Sequence, residues 1–189
     1  MHTLEPHYNW RNHYMAEDDA LSPFYGREYS EFEYSQRIYN YVIHPQWDSF
    51  GSATLYLKLL FVDYSGGYAI IELLGEWNDL IGNDIMFMKR DMAELLMQHG
   101  IDKFILIGEN VLNFHYSDEE YYAEWAEELP DGWVALVNFR KHVTDEMRRA
   151  RITDHLMLDE RLSDLDWRAA TPHQVCEVVT AVMGMRLGR

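Results

Sequence analysis

The 189-residue chain has one cysteine, Cys176, so it can build neither an internal disulfide nor a cysteine-rich zinc site. No stretch approaches the roughly 20 consecutive apolar residues that cross a bilayer. The opening residues, Met1 to Tyr14, carry His, Glu, Asn and Arg in place of a basic start and an apolar run, a pattern that predicts no secretory signal. These absences predict a reducing, cytoplasmic setting. Positive charge is also scarce. Four Lys and 12 Arg stand against 32 Asp and Glu, a formal net charge of −16. Such a surface repels phosphate backbones and anionic membranes, so neither nucleic acid nor membrane is an expected partner. Glycine-rich phosphate loops and the Gly-x-Ser-x-Gly elbow are missing. The nine histidines never fall one helical turn apart as metal ligands do. No cofactor, metal site or catalytic residue is assigned on this basis.

What is present is apolar material, 48% of the residues, enough for one sizeable core. Residues 1–35 stand apart, with Tyr8, Trp10, Tyr14, Phe24, Tyr25, Tyr29, Phe32 and Tyr34 but few aliphatics. Disordered segments are aromatic-poor, so this composition predicts an arm lying across its own domain or across a neighbouring subunit, as in a homodimer. Residues 36–189 read as a single α/β domain. Alternation of Tyr39, Tyr41 and Ile43 predicts a strand over 36–43, stopped by His44-Pro45. Ala53 to Val62 predicts a longer strand with Leu55, Leu57, Leu59 and Phe61 on one face. Ser65-Gly66-Gly67 is a hairpin turn, and Tyr68 to Leu74 returns as the antiparallel partner.

From residue 83 helical and extended patterns alternate. Asp84 to His99 places Ile85, Met88, Met92, Leu95 and Leu96 at helical spacing, with Gly100 as the stop. Lys103 to Ile107 and Trp133 to Phe139 read as buried strands, with an acidic helix over 117–129 between them. A helix over 144–150, a last strand over 155–158 and a helix opened by Thr171-Pro172 complete the chain. Cys176 falls among Val175, Val178 and Val179 and is expected as a core thiol. The order predicts a mixed sheet with an N-terminal antiparallel hairpin followed by alternating helices and strands.

Ligands in open α/β sheets favour the crevice at the strands' carboxyl ends. The polar residues expected there are Trp77 and Asn78; Glu109, Asn110, Asn113 and His115; and Arg140 and His142. Together they suggest a pocket for a small anionic ligand or a metal, with Arg140 gripping a carboxylate or phosphate and Glu109 or His115 handling protons. Ser117-Asp118-Glu119-Glu120 reads as a capping box, with the Ser117 hydroxyl accepting from the Glu120 amide. The acids Asp118, Glu119, Glu120, Glu124, Glu127 and Glu128 suggest a face for a basic protein.

The element order over residues 53–158 resembles the STAS domain of anti-sigma-factor antagonists and anion-transporter tails. That family carries Phe-x-Asp-Ser-Ser-Gly where this chain has Phe114-His115-Tyr116-Ser117-Asp118-Glu119. Phe114 and Ser117 match; Tyr116, Asp118 and Glu119 replace the acid, the second serine and the glycine. The resemblance implies a STAS-like fold, a non-catalytic regulatory role toward a protein partner, and Ser117 as a candidate phosphorylation site.

Overall fold

The computed structural model describes residues 2–186. Its centre is a five-stranded sheet in sequence order: β4 (Leu55–Asp63), β5 (Tyr68–Asn78), β6 (Lys103–His115), β7 (Trp133–Val137) and β8 (Met157–Leu158). β4 and β5 are antiparallel, and β5 through β8 run parallel. The chain is therefore mixed α/β, as the alternation of hairpin and crossover patterns predicts. A second sheet joins β1 (His2–Leu4), β2 (Arg37–Ile38) and β3 (Tyr41–Ile43) in the order β1-β3-β2. The single strand expected over 36–43 is thus a hairpin. Tyr39 turns it with φ 52°, a left-handed conformation unusual for a tyrosine.

One sheet face is covered by the crossover helices. Between β5 and β6 come α1 (Asp79–Gly82), α2 (Asp84–Phe87), a π-helical stretch (Met88–Ala93) and α3 (Glu94–Met97). α4 (Glu120–Glu127) and α5 (Lys141–Arg149) follow β6 and β7. Ile85, Met88, Met92, Leu96, Trp125, Val143 and Met147 pack from these helices onto Leu57, Ile71 and Leu106. Leu95, expected on the same stripe, is exposed, because the π turn shifts the helical phase.

The opposite face holds a second core. Val175, Val179, Val182 and Met183 of α6 (Pro172–Arg186) meet Ile70, Ile105 and Val137, together with Trp10 and Trp167. Thr171 caps α6 as its sequence predicts. Its hydroxyl accepts from the Gln174 amide at 3.3 Å, and Gln174 Oε1 accepts from the Thr171 amide at 2.9 Å. Cys176 is half-buried at the margin of this core and sits 3.8 Å from Thr180 Oγ1, less enclosed than expected. The N-terminal segment lies on its own chain, burying Trp10, Ala16 and Phe24.

Three further local expectations are corrected. A bulge between Leu59 and Phe61 sends Leu60 and Phe61 to the α6 face, so Phe61 does not continue the Leu55-Leu57-Leu59 row. β5 and β6 run on past the rest of the sheet as a two-stranded ribbon pairing Trp77 with Phe114 and Asn78 with His115. Asp118, rather than Ser117, receives the Glu120 amide, at 3.2 Å, while Ser117 is exposed ahead of α4.

Candidate functional site

β4 and β5 are apolar along most of their length, yet each carries one charge near its middle. Lys58 and Glu72 are register partners, so both point to the face shared with α6 and the N-terminal segment. Lys58 is 6% exposed and Glu72 0%. Burying an ion costs several kcal/mol unless neighbours compensate it. The two residues find different neighbours.

Glu72 ties three segments together. Its Oε2 accepts the His7 backbone N–H at 2.8 Å, and its Oε1 lies 3.4 Å from Arg168 Nη2. Arg168 also pairs with Glu109, whose Oε2 lies 3.5 Å from Trp167 Nε1. Burial outweighs these contacts and pushes the Glu72 carboxyl up to about 7. The His7 ring stands edge-on to Trp10 and Trp167, with centroids 5.0 and 4.8 Å away. Burial, and then the Arg168 charge, lower its pKa and keep the imidazole neutral at pH 7.

Lys58 faces a different group. Its Nζ lies 3.6 Å from Asp48 Oδ2, 3.8 Å from Glu17 Oε2 and 3.9 Å from the centre of the Tyr29 ring. These carboxylates compensate its charge from beyond hydrogen-bond distance. The other oxygen of Asp48 is occupied, accepting from Arg27 at 3.0 Å and from the Tyr29 hydroxyl at 2.6 Å. Burial lowers the Lys58 pKa, and Asp48 and Glu17 oppose it. The same burial raises Asp48, opposed first by Lys58.

Beside Lys58 a cavity of about 310 Å³ opens between β4 and residues 5–17. Trp10, Tyr14 and Leu60 give it apolar walls, and Arg11, Glu31 and His44 stand around it. Three buried polar atoms of its lining residues have no hydrogen-bond partner among the described residues: Lys58 Nζ, Glu17 Oε2 and His7 Nε2. This volume falls at the lower end of the range that encloses small ligands, about 300–1,000 Å³.

The residues expected at the strand ends fall into separate groups. Trp77 is wholly buried, and its indole donates to Asp79 Oδ1 at 3.1 Å; Asn78 caps α1 by accepting from the Ile81 amide. Asn113 and His115 gather with Tyr39 around Glu76, at 3.1 Å from Asn113 Nδ2 and 3.8 Å from His115 Nε2. Asn110 is half-buried on β6 opposite Leu74. Glu109 joins Arg168 on the α6 face. Arg140 donates to the Glu109 carbonyl at 2.9 Å, and His142 Nε2 lies 2.7 Å from the Leu112 carbonyl, so both side chains engage the β6 backbone. A groove of about 720 Å³ does lie beyond β7 and β8, but its cations are engaged: Lys141 and Arg148 both hold Asp145.

Two other polar clusters find their partners within the fold. Glu94, Glu124 and Glu128 converge within ligand distance of one another, and the Lys89 ammonium fills their centre at 2.7, 3.3 and 3.0 Å. Glu124 and Glu128, expected on a face for a basic partner, thus serve an internal cation. Buried Asp79 accepts from Trp77, the Ile85 amide and the Tyr122 hydroxyl, and burial raises its carboxyl to about 6.

Sequence reasoning missed Lys58, Glu72 and Glu17. The signal for the first two is a single charge inside an apolar strand, as in Leu57-Lys58-Leu59 and Ile71-Glu72-Leu73. Comparison with protein families finds no family model that matches this chain, and comparison with curated proteins finds no match. Among the described residues no helix is long and apolar enough to cross a membrane.

Proposed function

We propose that this chain is a non-catalytic regulatory module of STAS-like build whose input is a small molecule held between the N-terminal segment and β4. One observation carries the reading. Of seven buried side-chain polar atoms without a hydrogen-bond partner among the described residues, those of His7, Glu17, Asp48 and Lys58, four in all, lie on or beside this one cavity. Lys58, Asp48 and Glu17 offset one another's charge from 3.6 to 3.8 Å, and what remains is the cost of hydrogen bonds not made, up to about 1–3 kcal/mol per buried atom. Concentrating that cost at one opening suits a place where a ligand supplies the missing bonds. An antiparallel pair leading into three parallel strands, with helices α2 to α5 on one face, supports the STAS-like part of the reading.

A ligand there would touch Glu17 and Trp10 on one side and Lys58 on the other. Occupancy would therefore fasten the N-terminal segment to the sheet, and a protein partner reading that segment would sense it. Saturation-transfer NMR against a mixture of small metabolites tests this. Signals transferred in the wild type should vanish in Lys58→Met, and transfer that persists in the variant refutes the assignment.

A second reading, self-association through the N-terminal segment, is favoured by the exposure of Tyr8, Tyr25 and Phe32 at 62%, 61% and 87%. Light scattering then gives twice the chain mass for the wild type and the single mass for Tyr25→Ser/Phe32→Ser. A monomeric wild type removes this reading.

A further inference from the structure

The cavity's unmet bonds also define the chemistry of its occupant; this step rests on the cavity being the ligand site. We propose that it takes a neutral polyhydroxylated molecule, a sugar or a polyol. Lys58 Nζ needs an acceptor, and Glu17 Oε2 needs a donor. The two atoms are 3.8 Å apart. Both atoms are covered, so the Glu17 carboxylate must swing aside to admit one oxygen about 2.8 Å from each, an oxygen that both accepts and donates. A hydroxyl does both, and so does a neighbouring hydroxyl toward His7 Nε2, whose neutral ring offers either role.

Charge sorts the alternatives. A ligand carboxylate or phosphate drawn to Lys58 meets Asp48 and Glu17, both within 3.8 Å of the same ammonium. A ligand amine drawn to Glu17 meets Lys58 itself. Beside Lys58 either ion gains an attraction and incurs a repulsion of similar range, and Arg11, Glu5 and Glu31, which also line the cavity, add charges of both signs. A hydroxyl incurs neither. Trp10, Tyr14 and Leu60 supply apolar wall for the C–H faces of a sugar ring, and about 310 Å³ suits a molecule of that size.

The test is a thermal-shift and calorimetric titration of the full chain with D-glucose, D-ribose and myo-inositol, beside L-glutamate and putrescine as charged probes. At about 100 times its Kd, a binding polyol raises the melting temperature of a chain this size by about 5–10 °C. The proposal expects such a shift from at least one of the three polyols and none from the charged probes. It expects the polyol affinity to fall at least about tenfold in Glu17→Gln, which keeps the shape but exchanges one accepting oxygen for a donating NH2, and further in Lys58→Met. Melting curves without ligand establish that each variant folds. A shift from L-glutamate or putrescine alone that disappears in Lys58→Met overturns the polyol assignment and leaves the cavity as a ligand site. No shift from any probe overturns both. A polyol shift unchanged in both variants places the binding elsewhere and overturns the proposal.

Discussion

Replacing Glu72 by Gln should make this protein more stable above neutrality and leave it nearly unchanged in mild acid. The carboxyl is wholly enclosed, and burial raises it from the ordinary 4.5 to about 7. A raised carboxyl means that the fold prefers the protonated form. Its favourable contribution is therefore complete below about pH 4.5 and is lost as pH rises to about 7. At about 1.4 kcal/mol per pH unit, the loss across that window is about 3 kcal/mol. Glutamine is neutral throughout and keeps an oxygen for the His7 amide. Denaturant titrations should give equal stabilities at pH 4.5 and an advantage for Glu72→Gln that grows to about 3 kcal/mol by pH 8. That corresponds to about 6–12 °C in melting temperature for a chain of this size. The contrary result is a variant less stable than wild type at pH 8. It would mean that the ionised carboxylate, through Arg168 and the His7 amide, contributes more than its burial costs.

Asp79 adds to the same trend, being raised from 3.8 to about 6, so wild-type stability should decline between about pH 4 and 7; a melting temperature that rises across this range contradicts both assignments. Tyr122→Phe removes a hydroxyl donated to buried Asp79 and should cost about 1.5–3 kcal/mol by urea denaturation. Lys89→Met leaves Glu94, Glu124 and Glu128, all partly exposed, with Arg90 as their remaining cation, and a loss of about 1–3 kcal/mol is expected, measured the same way. Gly75→Ala should fail to fold or lose several degrees in melting temperature. The residue has φ +120°, and an added Cβ would stand 2.1 Å from the Thr54 carbonyl oxygen.

The helices and strands were readable where one period dominates over a full turn or more. The β4–β5 hairpin, the Met88-Met92 stripe and the Thr171 cap all follow from local chemistry. The ends of β5 and β6 were not readable, because Glu76, Asn78, Glu109 and Asn113 look like loop residues in composition. In the ribbon they are strand residues whose side chains reach Tyr39, Arg168 or the first turn of α1. The hairpin at 36–43 escaped because it turns on Tyr39, a residue type that rarely adopts positive φ. The bulge that turns Phe61 away leaves no mark in the Leu55-Leu57-Leu59 alternation. The candidate site was hidden for another reason. Lys58 meets Glu17 because residues 5–17 lie back across β4, and Asp48 because its backbone bridges Leu57, contacts that no local pattern encodes. The apolar flanks of Lys58 and Glu72 were the available clue.

Hydrogen exchange of the full chain, with and without the polyol that binds tightest, tests the central claim most directly. The account predicts slower exchange in residues 5–17 and in β4 when the polyol is present, with α4 unchanged. Protection confined to the β5–β6 ribbon, or no change in residues 5–17, would contradict it.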